Sequence, residues 1–224
     1  MTKTNVFSKI IDFFKKVKKI ADEDSLRGYI VSIILIVIVI KLLVLPGLGL
    51  ILGNTSYPIV SVVSNSMEHK PNQNDEMCNQ FVLKSEYKNS FENWWDICGD
   101  FYPNNHNISK QEFELFPMKN GFNIGDAMIV YKKDPEDIEK GDILIFMMTI
   151  QQNNKIIQKP VIHRVIDIKQ ENNEFLYTTK GDWNFASDYR EKDISYDQVQ
   201  GVAIIKIPFL GYPKYLLSKL LGQL

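Results

Sequence analysis

Apolar residues fall along this chain in contrasting textures. From Tyr29 to Leu52 they are almost continuous, interrupted by Lys41 and Pro46. At 1.5 Å per residue such a run reaches about 36 Å as a helix, enough to cross a hydrocarbon core of ~30 Å with some tilt. The pattern predicts a transmembrane helix over 29–52, with Pro46-Gly47 marking a kink or the outer end. Lys41 is expected to snorkel or to face protein. A cleaved leader would be shorter and would end in a small-x-small pattern, which is not evident here. Before this run, residues 1–28 carry a helical period: Val6, Ile10, Phe13, Phe14, Val17 and Ile20 share one face, with Lys9, Lys15, Lys16 and Lys19 opposite. That predicts a basic amphipathic helix lying in a membrane surface. The alternatives are a solvated coil or a helix packed on a soluble core.

Beyond Gly125 the texture turns to strand. Residues Asp126–Tyr131, Asp142–Met148, Lys155–Ile168, Glu174–Thr179 and Val199–Ile207 are β-rich runs separated by turn residues. Asn153-Asn154 and Asn172-Asn173 read as hairpin tips that tolerate positive φ. The fold class is therefore mainly β: an antiparallel domain over 53–207 behind an N-terminal transmembrane helix. An insert, 68–121, interrupts it. There Tyr87, Phe91, Trp94, Trp95 and Cys98 are near helical spacing, and Ser109-x-x-Glu112 is a capping-box pattern. One or two short helices with a local aromatic core are expected. Residues 208–224 are too short to span a membrane and read as a short amphipathic helix, docked on the domain or on the membrane surface.

Charge and composition narrow the picture. A net charge of -1 leaves no overall basic footprint for nucleic acid, and 45% hydrophobic residues argue against disorder throughout. Lys15, Lys16, Lys18, Lys19 and Arg27 precede the apolar run, so the positive-inside rule puts the N-terminus in the cytoplasm and everything past residue 52 outside. Two cysteines, Cys78 and Cys98, do not make a zinc site; a disulfide and two free thiols both fit.

Candidate chemistry begins where the strand Pro58–Val63 ends in Ser64-Asn65-Ser66-Met67, presenting a hydroxyl at a sheet edge. A serine nucleophile needs a base and an orienting acid. Of His69, His106 and His163, the first two are expected at the surface, while His163 lies inside a β run. The acids Asp182 and Asp188 follow in Lys180-Gly-Asp-Trp-Asn184 and the loop after it.

These boxes, in this order, resemble type I signal peptidases of the archaeal and endoplasmic-reticulum branch. Ser64-Asn-Ser-Met67 is similar to the nucleophile box, Ile162-His-Arg-Val-Ile166 to the box where bacterial relatives carry lysine, and Thr179–Asn184 with Asp188 to the last catalytic box. Trp183 stands where the family usually has asparagine, and 68–121 is a long insert. The resemblance implies a membrane-bound serine endopeptidase, without cofactor or metal, that cuts signal peptides from exported preproteins after small residues. It implies Ser66 as nucleophile, His163 as base, Asp188 as the acid orienting the imidazole, Asp182 supporting the same loop, and the Ser66 amide with the Ser64 hydroxyl as oxyanion donors. Preproteins, membrane lipid and a neighbouring protein-translocation channel are the partners it implies, and no nucleic acid. Asp182 is expected to brace its turn through its own backbone. A non-catalytic, membrane-anchored β domain that binds a partner is the competing reading.

Overall fold

The computed structural model describes residue 12, residues 15–152 and residues 155–222. The expected positions Val6, Lys9, Ile10, Phe13 and Phe14, and the tip Asn153-Asn154, lie outside the described residues.

The chain divides into two units, Met1–Leu48 and Gly49–Leu224. In the first, residues 15–21 are helical, with Val17 and Ile20 half-buried and Lys15, Lys16 and Lys19 exposed. The apolar run is helical from Leu26 to Ile51 (α1), capped by Ser25, whose hydroxyl accepts from the Gly28 amide at 3.1 Å. Gly28 is there because a Cβ would lie 2.1 Å from the Glu23 carbonyl oxygen. In its most apolar window α1 is 6% buried, with Ile33, Leu42 and Leu43 exposed. It is long and apolar enough to cross a membrane. Pro46 does not end it. A π-helical turn, Ile40–Val44, precedes the proline, with the Leu45 amide donating to the Ile40 carbonyl, and the helix resumes to Ile51.

The second unit is built on a seven-stranded antiparallel sheet of order β1-β4-β9-β5-β6-β7-β8. Its strands are β1 (Ile59–Ser61), β4 (Ala127–Tyr131), β5 (Ile143–Gln152), β6 (Lys155–Glu171), β7 (Glu174–Lys180), β8 (Ile194–Ser195) and β9 (Val199–Ile207). The β-rich runs thus form the sheet, as expected. β8 was not expected, because two residues carry no readable alternation. The β6–β7 turn has Asn172 and Asn173 at φ 50° and 66°, the conformation that asparagine tolerates. One apolar face gathers Val60, Val62, Met67, Met128 and Ile145; the other gathers Leu144, Phe146, Val165, Tyr177 and Val202.

The insert holds a small hairpin, β2 (Glu76–Met77) and β3 (Gln80–Phe81), then α2 (Phe91–Cys98), α3 (Phe101–His106) and α4 (Lys110–Leu115). Ser109 caps α4, accepting from the Glu112 amide. Trp94, Tyr102 and Phe113 are fully buried in a core that is not local to the insert but shared with Ile166 of β6, and Cys78 and Cys98 are joined in a disulfide. The chain closes with α5 (Tyr212–Leu220), which leaves Leu216, Leu217 and Leu220 exposed.

Candidate active site

Ser66 is held by its neighbours. Val62 exchanges backbone hydrogen bonds with Asp126 and Gly125, prolonging β1, and the chain then turns, Glu68 N–H donating to the Asn65 carbonyl. Met67, 1% exposed, anchors the far side in the core, and its carbonyl accepts from the Phe122 amide. The Ser66 carbonyl accepts from the Trp183 amide at 2.9 Å. The loop can come this close because residue 181 is glycine: a Cβ there would stand 2.7 Å from the Ser66 carbonyl oxygen and 2.8 Å from His163 Nε2. The side chain of Ser66 is half-buried and that of Ser64 exposed.

His163 lies on β6 opposite Leu144 of β5 and is 7% exposed. Its Nε2 is 2.9 Å from Ser66 Oγ. Its Nδ1 is 2.6 Å from Glu191 Oε2, and the same oxygen accepts from Thr179 Oγ1 at 2.9 Å. A carboxylate oxygen accepts, so Nδ1 carries the ring proton and Nε2 offers its lone pair to the serine hydroxyl. The Ser64 hydroxyl, 3.2 Å from Ser66 Oγ, is the remaining donor at the nucleophile.

The acid facing His163 is therefore Glu191, which the sequence reading passed over, and not Asp188. Asp188 caps the 3₁₀ turn Tyr189–Glu191, accepting from the Arg190 amide, and both its oxygens take the Arg190 guanidinium, at 2.9 and 2.6 Å. Hydrogen bonds from Arg190 hold its carboxyl down at about 2. Its side chain is 31% exposed. The capped turn sends Glu191, three residues on, inward to 2% exposure. Ser187 Oγ donates to the Thr179 carbonyl and ties the start of this turn to β7. The spacing Asp188-x-x-Glu191 is itself a capping-box pattern, the signal that would have marked Asp188 as a cap.

Asp182 also departs from expectation. It braces the fold through its side chain, not through its own backbone: it is fully buried and accepts from Arg164 Nε and Nη2, Tyr102 OH and His69 Nε2. Burial alone would push its carboxyl up; the Arg164 charge and the bonds from His69 and Arg164 hold it well below the usual carboxylate range. His69, expected at the surface, is 4% exposed, and burial lowers its pKa against the opposing pull of Asp182. His106 is half-buried against Phe101. Burial likewise pushes the Lys180 ammonium down to about 8.

Asp182 gives a pH-dependent stability with a definite sign. Its folded pKa lies below the unfolded value, so its contribution is present above the ordinary carboxylate value of about 4 and is lost as the pH falls from there. Asp182→Asn leaves Arg164 buried without its counter-charge, which costs about 3–5 kcal/mol. In thermal unfolding, the gap between wild type and Asp182→Asn should be constant near neutrality and narrow in acid below pH ~4.

A hydroxyl hydrogen-bonded to an imidazole whose other nitrogen meets a buried carboxylate is an arrangement that activates oxygen for attack on a carbonyl. Comparison with protein-family models finds no match. Among curated proteins the chain is similar to signal peptidase I W of Bacillus subtilis (strain 168), 36% identical over 72 residues. That stretch is 32% of this chain and 34% of the relative, so the match spans about a third of the curated protein.

Proposed function

We propose that this protein is a membrane-anchored serine endopeptidase that removes signal peptides from exported preproteins. The observation that carries the reading is the line Ser66 Oγ, His163, Glu191, with contacts of 2.9 and 2.6 Å. The partial likeness to a signal peptidase I and the apolar α1 support it. A domain that only binds a partner has no use for a hydroxyl aligned in this way.

In this reading Ser66 Oγ attacks the scissile carbonyl and forms the C–O bond while His163 Nε2 takes its proton. The Ser66 amide and the Ser64 hydroxyl meet the oxyanion. Collapse expels the new amine, which receives the proton from His163; water then repeats the sequence on the acyl-enzyme. Glu191 keeps the imidazole in the right tautomer and stabilises its charged form. The sheet suits an extended substrate: β1 is a terminal strand, and among the described residues β6 before Arg164 pairs with β5 alone, so each offers an edge to a peptide strand. Cleavage after small residues is the preference carried by the resemblance.

Incubating the detergent-solubilised protein with a preprotein should yield a shortened product whose new N-terminus follows a small residue. An uncut preprotein sinks the reading. In the orientation we propose, the N-terminus is cytoplasmic and residues 53–224 are outside. Protease added to intact spheroplasts then reaches the insert at the exposed Asn104. Protection until the cells are lysed would reverse this topology.

A further inference from the structure

The insert takes no part in the chemistry described above, yet it reaches beneath the site. Tyr102 OH, fully buried on α3, donates to Asp182 Oδ1 at 3.2 Å. His69 Nε2 lies 2.9 Å from Asp182 Oδ2, and its ring is stacked on Trp94 with centroids 3.8 Å apart. Trp183 Nε1 donates to the Lys70 carbonyl at 3.2 Å. The loop Gly181–Trp183 is thus gripped by the insert, and it carries that grip to the reacting groups. Its Trp183 amide holds the Ser66 carbonyl, and Gly181 packs against both that carbonyl and His163 Nε2.

Arg164 already supplies the charge that Asp182 needs, with two hydrogen bonds of 3.0 and 2.8 Å. What Tyr102 and His69 add is direction, since each fixes one carboxylate oxygen from the insert side. Direction matters because Ser66 and His163 are 97 positions apart in the chain, so their 2.9 Å contact depends on the loop between them. We infer that Tyr102 and His69 are positioning residues for the proposed hydrolysis, acting through Asp182 to hold Ser66 against His163. The inference rests on the peptidase reading for its effect on turnover, but the alignment itself is measurable without turnover.

Three variants of the full-length protein test it. Tyr102→Phe removes one hydroxyl and keeps the ring. His69→Leu removes the donor and keeps an apolar bulk, and His69→Gln restores an amide donor. Each is followed by kcat and KM on a preprotein, by thermal unfolding, and by the downfield proton resonance of His163 Nδ1–H on Glu191. Tyr102→Phe and His69→Leu should each lower kcat by about tenfold, as expected for slightly misplaced reacting groups, with KM within about twofold. The resonance should move in both, and His69→Gln should recover most of kcat and the wild-type resonance. Wild-type kcat and an unmoved resonance, with only the melting temperature lowered, would reduce both residues to structural supports. If the wild type cleaves nothing but the resonance still responds, the positioning stands and the peptidase reading falls. If the wild type cleaves and neither readout responds, the peptidase reading stands and the positioning falls. Absence of both cleavage and response overturns both.

Discussion

Ser66→Ala should abolish preprotein cleavage, by roughly a millionfold where the chemical step limits turnover, while leaving the protein folded. In the proposed reaction the hydroxyl is the group that bonds to the substrate, and no second hydroxyl paired with His163 stands ready to replace it. Ser64, 3.2 Å away, has no base of its own among its hydrogen bonds. The structural cost is small. The side chain of Ser66 is half-buried and touches His163 and Ser64 through one oxygen, and losing a hydrogen bond of that kind costs about 1 kcal/mol. The melting temperature therefore separates loss of chemistry from loss of fold. His163→Ala should remove cleavage as completely but destabilise more, because it also strips Glu191 of a partner in a site 2% exposed. Residual cleavage in Ser66→Ala at wild-type rates would remove this serine from the mechanism.

The next largest effect separates the acids. Glu191→Gln should lower kcat by about ten-thousandfold, whereas Asp188→Asn should stay within about threefold of wild type. The reason is the tautomer. An amide at 191 can present its NH2 to His163 Nδ1, which then holds its lone pair there and moves the ring proton to Nε2. In that form the imidazole points a donor at Ser66 and cannot take its proton. Asp188→Asn has no such route, since its carboxylate is engaged by Arg190 and by the turn it caps. Measuring kcat on the two variants, with melting temperatures alongside, decides the assignment. A collapse of turnover in Asp188→Asn with Glu191→Gln unimpaired would return the orienting role to Asp188.

The sheet was legible because burial on one or both faces imposes a period that side chains must obey: Val199–Ile207 reads as a strand and is one. The apolar run was equally plain, but the π turn at Ile40–Val44 was not. It is set by backbone hydrogen bonds that hydropathy does not see. At the site, Ser66 and His163 were recoverable from their boxes. Glu191 was not, because resemblance weighs the spacing from Asp182, and the capped turn at Tyr189–Glu191 decides which acid faces inward. His69 illustrates a further limit. A polar residue in a polar stretch reads as surface until Trp94 covers it and Asp182 receives it. Local pattern carries no record of partners more than a hundred positions away.

The place of β9 gives the sheet beneath the candidate site its continuity. β1 and β4 pair with each other, and β5 to β8 form a separate run of antiparallel neighbours. β9, later in the sequence than all of these, lies between β4 and β5 and pairs with both. Ser66 continues from the first half, while His163 and Glu191 belong to the second. The sheet that carries the serine, the histidine and the glutamate is continuous only through Val199–Ile207, so the candidate site stands on a strand that contributes none of its side chains.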